Sequence, residues 1–441
     1  MKFGGSSVKS EERIKAAAEI ILSQEDKKIL VFSALGDTTD NLIEAGQKAL
    51  GGKVVFKEIK DFHYDVAARL DVNTDIIDEL LNNLERLLSG ISMLGELSEK
   101  TKDLLVSFGE RLSVRIIAQY LTNNFFKAKA IDAFDLGLRT DSDFGDAKVL
   151  DGSLSEVKKN LEVLIKDGIT PVVTGYIAKD EFGNITTLGR GGTDLTASLL
   201  ASAVGAKEVQ VWKDVDGIMT TDPRIVSSAI SLDELAFEEA SEMAYFGAKV
   251  LHPLSIQPAM KADIPVRVLN SYNPKHTGTT ILRKTTPPKN AVRAISCKSD
   301  VILVDIVSTR MLHAHGFMAK VFNIFRDASL PVDMLATSEI SISLTLNCDK
   351  DLDKVVAELE KFSKVSVQRE KAIISLIGDI SRSSKILKEA FTVLDANNRD
   401  VQMISKGASK VNIGFVVENS DSKDILTELH NQFFPVSGMA A

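Results

Sequence analysis

Lys2-Phe3-Gly4-Gly5-Ser6-Ser7 sets a fixed cation beside two glycines, whose bare backbone N–H groups can approach a phosphate and line a small anion nest. Thr187-Leu-Gly-Arg-Gly-Gly-Thr-Asp194 repeats that chemistry more densely. Three glycines surround Arg190 just before a predicted helix, whose first turn offers unpaired N–H groups and a positive dipole end. An anion suits both segments; the plain alternative is a glycine turn, with Thr193 or Asp194 capping the helix. Neither segment has the spacing of a P-loop or of the dinucleotide fingerprint. Trp212-Lys-Asp-Val-Asp-Gly-Ile-Met-Thr-Thr-Asp-Pro-Arg224 gathers three carboxylates and two cations, which calls for a ligand or metal, or else a solvated turn with local Asx hydrogen bonds. Phe246-Gly-Ala-Lys-Val-Leu-His-Pro253 places Lys249 and His252 three residues apart, with His252 read as a structural hydrogen-bonding residue. Ser107-Phe-Gly-Glu-Arg111 puts Glu110 inside a mostly apolar helix, where a carboxylate needs a cation: Arg111 or a ligand's ammonium.

The elements that must position these groups read as alternating strands and helices. Ile29-Leu-Val-Phe-Ser is a buried strand entering the turn Ala34-Leu-Gly-Asp-Thr-Thr-Asp40; Lys129 to Asp132 and Glu208 to Asp214 are further strands, and Thr170-Pro-Val-Val-Thr-Gly-Tyr-Ile177 is a strand ending in a Gly turn. Residues 58–122 are predicted helical, with Ile76, Ile77, Leu80, Leu81, Leu84, Leu87 and Leu88 forming one apolar face. Asp194 to Val204 is a further helix. Such alternation implies a mostly parallel sheet with ligands at the carboxyl ends of its strands. Met1 directly precedes Lys2, so the first strand is expected to be short.

Lys284-Thr-Thr-Pro-Pro-Lys289 is a stiff extended linker and marks a boundary. Beyond it the chain repeats itself: Phe322 and Phe391, Leu335 and Ile404, and Leu346 and Phe415 each stand 69 residues apart. Each copy reads helix, strand, turn, strand, helix. The predicted domains are therefore 1–285, 299–368 and 369–441, with a strand at 291–298 that can pair with the last.

With 441 residues, 44% hydrophobic and 26% charged, the chain has the balance of a folded globular protein. A net charge of −8 excludes a polyanion binder held by bulk charge, so no nucleic-acid partner is expected. Cys297 and Cys348 cannot build a disulfide framework or a structural zinc site. No stretch suits a signal peptide or a membrane span, and a cytoplasmic protein is expected.

Together, the segments Lys2-Phe-Gly-Gly-Ser-Ser, Ser33-Ala-Leu-Gly-Asp-Thr-Thr-Asp, Phe108-Gly-Glu, Gly189-Arg-Gly-Gly-Thr-Asp, Asp214-Val-Asp-Gly, Thr221-Asp-Pro-Arg and Phe246-Gly-Ala-Lys-Val-Leu-His-Pro resemble, in order and spacing, the aspartate kinase family. The resemblance covers essentially the whole chain. It implies an α/β amino-acid-kinase fold, an open and mostly parallel sheet between helix layers, followed by two α+β ferredoxin-like ACT domains. It also implies transfer of the ATP γ-phosphoryl group to the side-chain carboxylate of L-aspartate, with Mg²⁺ on the β and γ oxygens. The product, 4-phospho-L-aspartate, opens the pathway to lysine, threonine and methionine. An aspartate carboxylate is already ionised at pH 7, so positioning and charge neutralisation are the whole task.

In that scheme Lys2 bridges the transferring group, Gly4 and Gly5 give it backbone donors, and Asp194 orients Lys2. Arg190 would take the α-carboxylate, Glu110 the ammonium, and Ser33 and Thr39 would line the substrate pocket. Asp214, Arg224 and Lys249 would contact the nucleotide, with Thr220 to Asp222 in the adjoining loop. Many members carry Thr and Tyr where this chain has Lys213 and Met219, and Met219 can cover an adenine face. Met311-Leu-His-Ala-His-Gly-Phe317 and Val332-Asp-Met-Leu-Ala-Thr-Ser-Glu339 resemble the effector segments of lysine-sensitive members. Asp333 would take the effector's cationic group, Met311, Gly316, Phe317, Ser338 and Glu339 would close the site, and His313 and His315 would support the turn. L-lysine as an allosteric inhibitor and a homodimer or higher homo-oligomer paired through ACT domains follow from the same resemblance. The alternatives are another kinase of this fold, acting on glutamate, carbamate, acetylglutamate or a nucleotide, and a non-catalytic amino-acid sensor.

Overall fold

The computed structural model describes residues 1–247, 251–286, 291–311, 315–406 and 411–435, which fall into two compact units. The first holds the described residues of Met1–Ile218, Ser231–Phe237 and Val250–Thr285. Its frame is an eight-stranded sheet in the order Ala128–Ile131, Thr170–Thr174, Leu30–Phe32, Lys2–Phe3, Val209–Lys213, Val266–Asn270, Thr279–Leu282, Glu234–Ala236. The first six strands run parallel, and Thr279–Leu282 returns antiparallel to Val266–Asn270.

The Lys2–Phe3 strand is two residues long, as the sequence predicts, yet it is held on both sides. Phe3 lies opposite Phe32 on one neighbour and Trp212 on the other, and the rings stack at 5.2 and 6.0 Å between centroids. Aromatic cross-strand pairs of this kind add about 0.5–1.5 kcal/mol each beyond simple burial. All three rings sit in one hydrophobic core. The helical stretch resolves into Lys57–Arg69, Asp75–Leu94 and Glu99–Asn124. Ile77, Leu80, Leu81, Leu84 and Leu88 are buried, while Ile76 and Leu87 pack at the core's margin.

The strand from Thr170 breaks off at its glycine turn, as the sequence predicts. Thr170–Thr174 ends at Gly175, Tyr176 takes a left-handed φ of 67°, and Ile177–Asp180 starts a separate small sheet with Arg139–Thr140 and Ile185–Thr187. The break has a steric cause: a Cβ at position 175 would lie 2.2 Å from Cγ2 of Thr193, so only glycine lets this turn approach the helix Gly192–Val204.

The second unit is built on a six-stranded antiparallel sheet in the order Val332–Thr337, Ser341–Leu346, Val292–Val307, Lys364–Gly378, Asn412–Glu418, Met403–Ser405. Helices Phe317–Asp327 and Leu352–Glu360 cover one half, Ser383–Ala396 and Ser422–Phe433 the other, each half with its own core. The repeat is thus two modules sharing one sheet. Val292–Val307 serves both: its first half pairs with Ile373–Gly378 and its second with Lys364–Lys371. Pro287 and Pro288 of the predicted linker lie outside the described residues.

The contiguous 1–285 domain of the sequence reading divides differently here. Met219–Ile230 and the described residues of Glu238–Lys249 belong to the second unit. Val226 is 3% exposed within the core formed by Val292, Ile295, Leu429 and Phe433. Thr220 is equally committed: its carbonyl accepts from the Ile295 amide at 2.7 Å, and its hydroxyl meets Nε2 of buried His430 at 2.9 Å.

Candidate active site

The carboxyl ends of Lys2–Phe3, Leu30–Phe32, Thr170–Thr174 and Val209–Lys213 open on one edge of the first unit's sheet, where parallel α/β sheets place their ligands. Lys2 and Asp194 meet there as a buried ion pair, Nζ to Oδ1 at 2.6 Å, each side chain 7% exposed. A third group joins them. Lys213, the last residue of its strand, brings Nζ to 3.2 Å from the other carboxylate oxygen of Asp194. One carboxylate thus carries two ammonium groups. Burial alone would raise the Asp194 carboxyl, but Lys2 and Lys213 outweigh it and hold the group below the ordinary carboxylate range. Burial lowers Lys2 from its ordinary value against the pull of Asp194, and Lys213 lowers it further.

Gly4 and Gly5 follow directly. A Cβ on Gly5 would meet the Gly36 carbonyl oxygen at 2.8 Å, so glycine lets two loops close on each other. The Gly4 amide, expected to serve a phosphate, instead donates to the Trp212 carbonyl at 3.3 Å and anchors the turn to the neighbouring strand. The turn Gly5–Val8 then leaves the Gly5 amide as its first donor without a partner inside the turn. Ser7, fully buried, donates to the Trp212 carbonyl and accepts from Ser271, which tightens the same corner.

Glu110 is 3% exposed in the helix Glu99–Asn124, and its Oε2 has no hydrogen-bond partner. Burial pushes its carboxyl up to about 8, against weaker pulls from backbone amides, Ala34's among them, and from the Lys2 charge. The sequence offered Arg111 as its cation. The structure gives Arg111 to Asp132 instead, at 3.0 Å, and Arg115 joins from the next turn at 3.0 Å. Successive helical residues point about 100° apart, so neighbours in sequence cannot share one face.

Ser33 and Thr39 flank this edge. The Ser33 hydroxyl donates to that of Thr193 at 3.2 Å, and Thr39 lies in the first turn of helix Thr38–Leu50. Arg190 is exposed between Gly189 and Gly191, both left-handed at φ 68° and 76°. Its charge, after burial, lowers His252 from the usual imidazole value. His252 packs on Gly191, where a Cβ would meet its own Cβ at 2.7 Å, and its carbonyl accepts from the Ser255 amide at the start of helix Pro253–Lys261. The ring, read as a structural hydrogen-bonding group, has its buried Nδ1 without a hydrogen-bond partner among the described residues.

The predicted nucleotide residues fall in both units. Asp214 is exposed in the loop after Val209–Lys213 in the first unit, whereas Met219 and Arg224 belong to the second. There the Arg224 guanidinium closes on Asp222 at 2.6 Å. Lys249 and His313 lie outside the described residues. The effector residues are spread over one module: Met311 and Phe317 pack in its core, Gly316 caps helix Phe317–Asp327 at φ 84°, and Ser338 closes the turn before Ser341–Leu346. Glu339 is exposed in that turn, and Asp333 stands at the opposite end of strand Val332–Thr337.

Sequence reasoning missed three contributors. Lys213 was read as a departure, not as a partner of Asp194. Thr193 was read only as a cap, and Tyr176, placed by its left-handed turn against Gly192 and within the field of Glu110, was not singled out. The glycine after Thr170–Thr174 was the available signal for Tyr176. Among the described residues no group of three His, Cys, Asp or Glu side chains could hold a metal ion, and no helix is long and apolar enough to cross a membrane.

The amino acid kinase family model matches residues 1–270, and the ACT domain model matches 304–361 and 374–433. Aspartokinase 2, chloroplastic, of Arabidopsis thaliana is 47% identical over 98% of this chain and 84% of its own length. Lysine-sensitive aspartokinase 3 of Escherichia coli is 36% identical over 98% of both. The crystal structure of E. coli aspartokinase III with aspartate and ADP, its R-state, aligns at a TM-score of 0.84 and 34% identity, covering 98% of this chain and 99% of that one. Its T-state complex with lysine and aspartate aligns at 0.79 and 35%, covering 98% of each.

Proposed function

We propose, from the premise that this chain belongs to the aspartokinases of the amino acid kinase family, a division of labour at the sheet edge around Asp194. The reaction is transfer of the ATP γ-phosphoryl group to the side-chain carboxylate of L-aspartate, giving 4-phospho-L-aspartate and ADP. A carboxylate oxygen attacks phosphorus, the bond to the β,γ-bridging oxygen breaks, and no proton moves. The protein's work is to align two anions and to offset their charge.

Lys2 supplies the positive charge, and its ion pair with Asp194 fixes where that charge points. The Gly5 amide adds a donor beside it. Arg190 receives the substrate's α-carboxylate through its fork, and Glu110 receives the α-ammonium. The carrying observation is the unpartnered Oε2 of Glu110: a buried carboxyl that makes no ion pair among the described residues, within the field of Lys2, is completed by a ligand that brings its own ammonium. Ser33 and Thr39 line the same space. Asp214, Met219, Arg224 and Lys249 are assigned to the nucleotide. Mg²⁺ would enter on the nucleotide's phosphates, the usual course for an ion that keeps most of its waters. Asp194 is no candidate ligand for it, since Lys2 and Lys213 hold both its oxygens. When bound, the ion neutralises the β and γ oxygens.

L-lysine is assigned as the inhibitor, acting at the first ACT module with its ammonium on Asp333; Met311, Gly316, Phe317, Ser338 and Glu339 are the other residues of that module assigned to the effector. A homodimer paired through ACT domains is proposed with it, since Val332–Thr337 is an edge strand with one side unpaired within the sheet. Sedimentation showing only monomer at micromolar concentration overturns the dimer. The cytosol is the proposed compartment, tested by fractionation against plastids. The decisive assay couples ADP release to a panel of aspartate, glutamate, acetylglutamate and carbamate. Turnover confined to aspartate, with initial rates falling in millimolar L-lysine, is expected; turnover of another member in its place sinks the substrate assignment.

A further inference from the structure

The carboxylate assigned to the effector's cation is already occupied by the protein. Asp333 has a side chain with 0% exposure, and Lys298 donates from Nζ to its Oδ2 at 2.7 Å. Tyr245 donates from its hydroxyl to the other oxygen, Oδ1, at 2.6 Å. The Lys298 ammonium also stands 4.8 Å from the centroid of the Tyr245 ring. A carboxylate, an aromatic face and an ammonium on an unbranched four-carbon stem are thus assembled in one place, and that stem and head are those of free lysine. All three residues lie in the second unit.

We propose that Lys298 is a built-in stand-in for the effector: it neutralises Asp333 in the lysine-free enzyme, and L-lysine inhibits by replacing the Lys298 ammonium with its own. The inference rests on the reading of Asp333 as an effector contact and adds Lys298 and Tyr245 to that site. The exchange is physically cheap because it never leaves the buried carboxylate unpaired; an ammonium replaces an ammonium, and the desolvation cost of Asp333 is met in both states. A neutral side chain cannot do this, which makes the site selective for a diamino acid.

The exchange also has a route to the rest of the chain. Tyr245 is the last residue of helix Phe237–Tyr245, whose Glu239 pairs with Arg293 at 2.9 Å and whose Glu242 accepts from Asn412 at 2.9 Å. Residues 239, 242 and 245 recur at i, i+3 spacing, so one side of this short helix is tied to the regulatory sheet at three points. The same helix follows directly on Glu234–Ala236, a strand of the kinase sheet. A ligand that binds one arrangement of Asp333 better than the other biases that helix through Tyr245.

The test measures the L-lysine concentration that halves the initial rate of the full-length enzyme, with each variant normalised to its own uninhibited rate. Lys298→Met removes the competitor and leaves Asp333 seeking a cation, so this concentration falls at least fivefold. Lys298→Arg, which keeps a cation there and holds the carboxylate through a bidentate fork, raises it. Asp333→Asn abolishes inhibition. If Asp333→Asn desensitises the enzyme while Lys298→Met falls less than fivefold or rises, the exchange is wrong and the effector assignment survives. If Asp333→Asn is inhibited like the parent, the effector assignment itself fails and takes the exchange with it.

Discussion

Asp194 and Glu110 are both buried carboxyls at one sheet edge, yet among the described residues the first carries two lysines and the second none. Asp194 is consequently held below the ordinary range and Glu110 is pushed up to about 8. A carboxylate whose cations come from the protein is a fixed strut, and one left without a cation is a socket. The contrast separates positioning from recognition without any ligand in view, and it can be broken at either end.

The largest effect is expected where the strut meets the reaction. Lys2→Ala removes a preorganised contact to the transferring group, worth about 2.7–4 kcal/mol, so kcat should fall about 100- to 1,000-fold. KM for aspartate should move little. A variant as fast as the parent would return the chain to the amino-acid sensor reading. Arg190→Ala should do the reverse: loss of a charge-assisted bond of about 1.5–3 kcal/mol raises KM for aspartate about 10- to 150-fold with a smaller change in kcat. Steady-state kinetics on both variants tests the split, and an Arg190 variant that loses only kcat refutes the recognition role.

How much of this contrast was legible beforehand depended on range along the chain. Glu110 announced its need for a cation because a carboxylate amid apolar helical residues is conspicuous, and the glycines around Arg190 announced a tight turn. The strut was half legible. Asp194 as the orienter of Lys2 came from the resemblance, but the second cation depends on a register that sets Lys2 beside Val211, residues more than 200 apart in sequence. Nothing in the local pattern of Val209–Lys213 states that its last side chain turns toward Asp194. The rejection of Arg111 as the partner of Glu110 was readable from helical angles alone, whereas its actual partner, Asp132, was not. The same limit explains Met219–Ile230. The segment looks like one loop of the kinase region, and it is the burial of Val226 beside Leu429 and Phe433, with the bonds of Thr220 to Ile295 and His430, that assigns it to the regulatory unit.

The socket predicts a pH dependence that the strut does not. An ammonium requires Glu110 ionised, and the free enzyme holds it protonated below about 8. KM for aspartate should therefore fall as pH rises from 6 to 8, by up to about tenfold per unit, and level off above. Glu110→Gln should flatten the profile at a high KM. Stability moves the opposite way. The folded carboxyl keeps its proton between the ordinary glutamate value near 4.5 and about 8, while the unfolded chain has released it, so this group lowers stability as pH rises through that window. Thermal unfolding of Glu110→Gln should gain on the parent across the same interval; parallel curves would mean that the carboxyl is solvated and the socket misread.

The smallest effect sharpens the strut itself. Lys213 is 21% exposed and 3.2 Å from Asp194, against 7% and 2.6 Å for Lys2, so the two cations are unequal partners of one carboxylate. Lys213→Thr leaves Asp194 with its shorter and drier ion pair and relieves Lys2 of a like-charge neighbour. A partly exposed pair contributes at most about 1 kcal/mol, which corresponds to a fall in kcat of no more than about fivefold. The double variant with Lys2→Ala should then lose less than the product of the single losses, because both side chains act through Asp194 and removing the first leaves the second less to hold. Multiplying losses would separate Lys213 from the strut, and a single loss as large as that of Lys2→Ala would make the two lysines equivalent, which their burial and distances argue against.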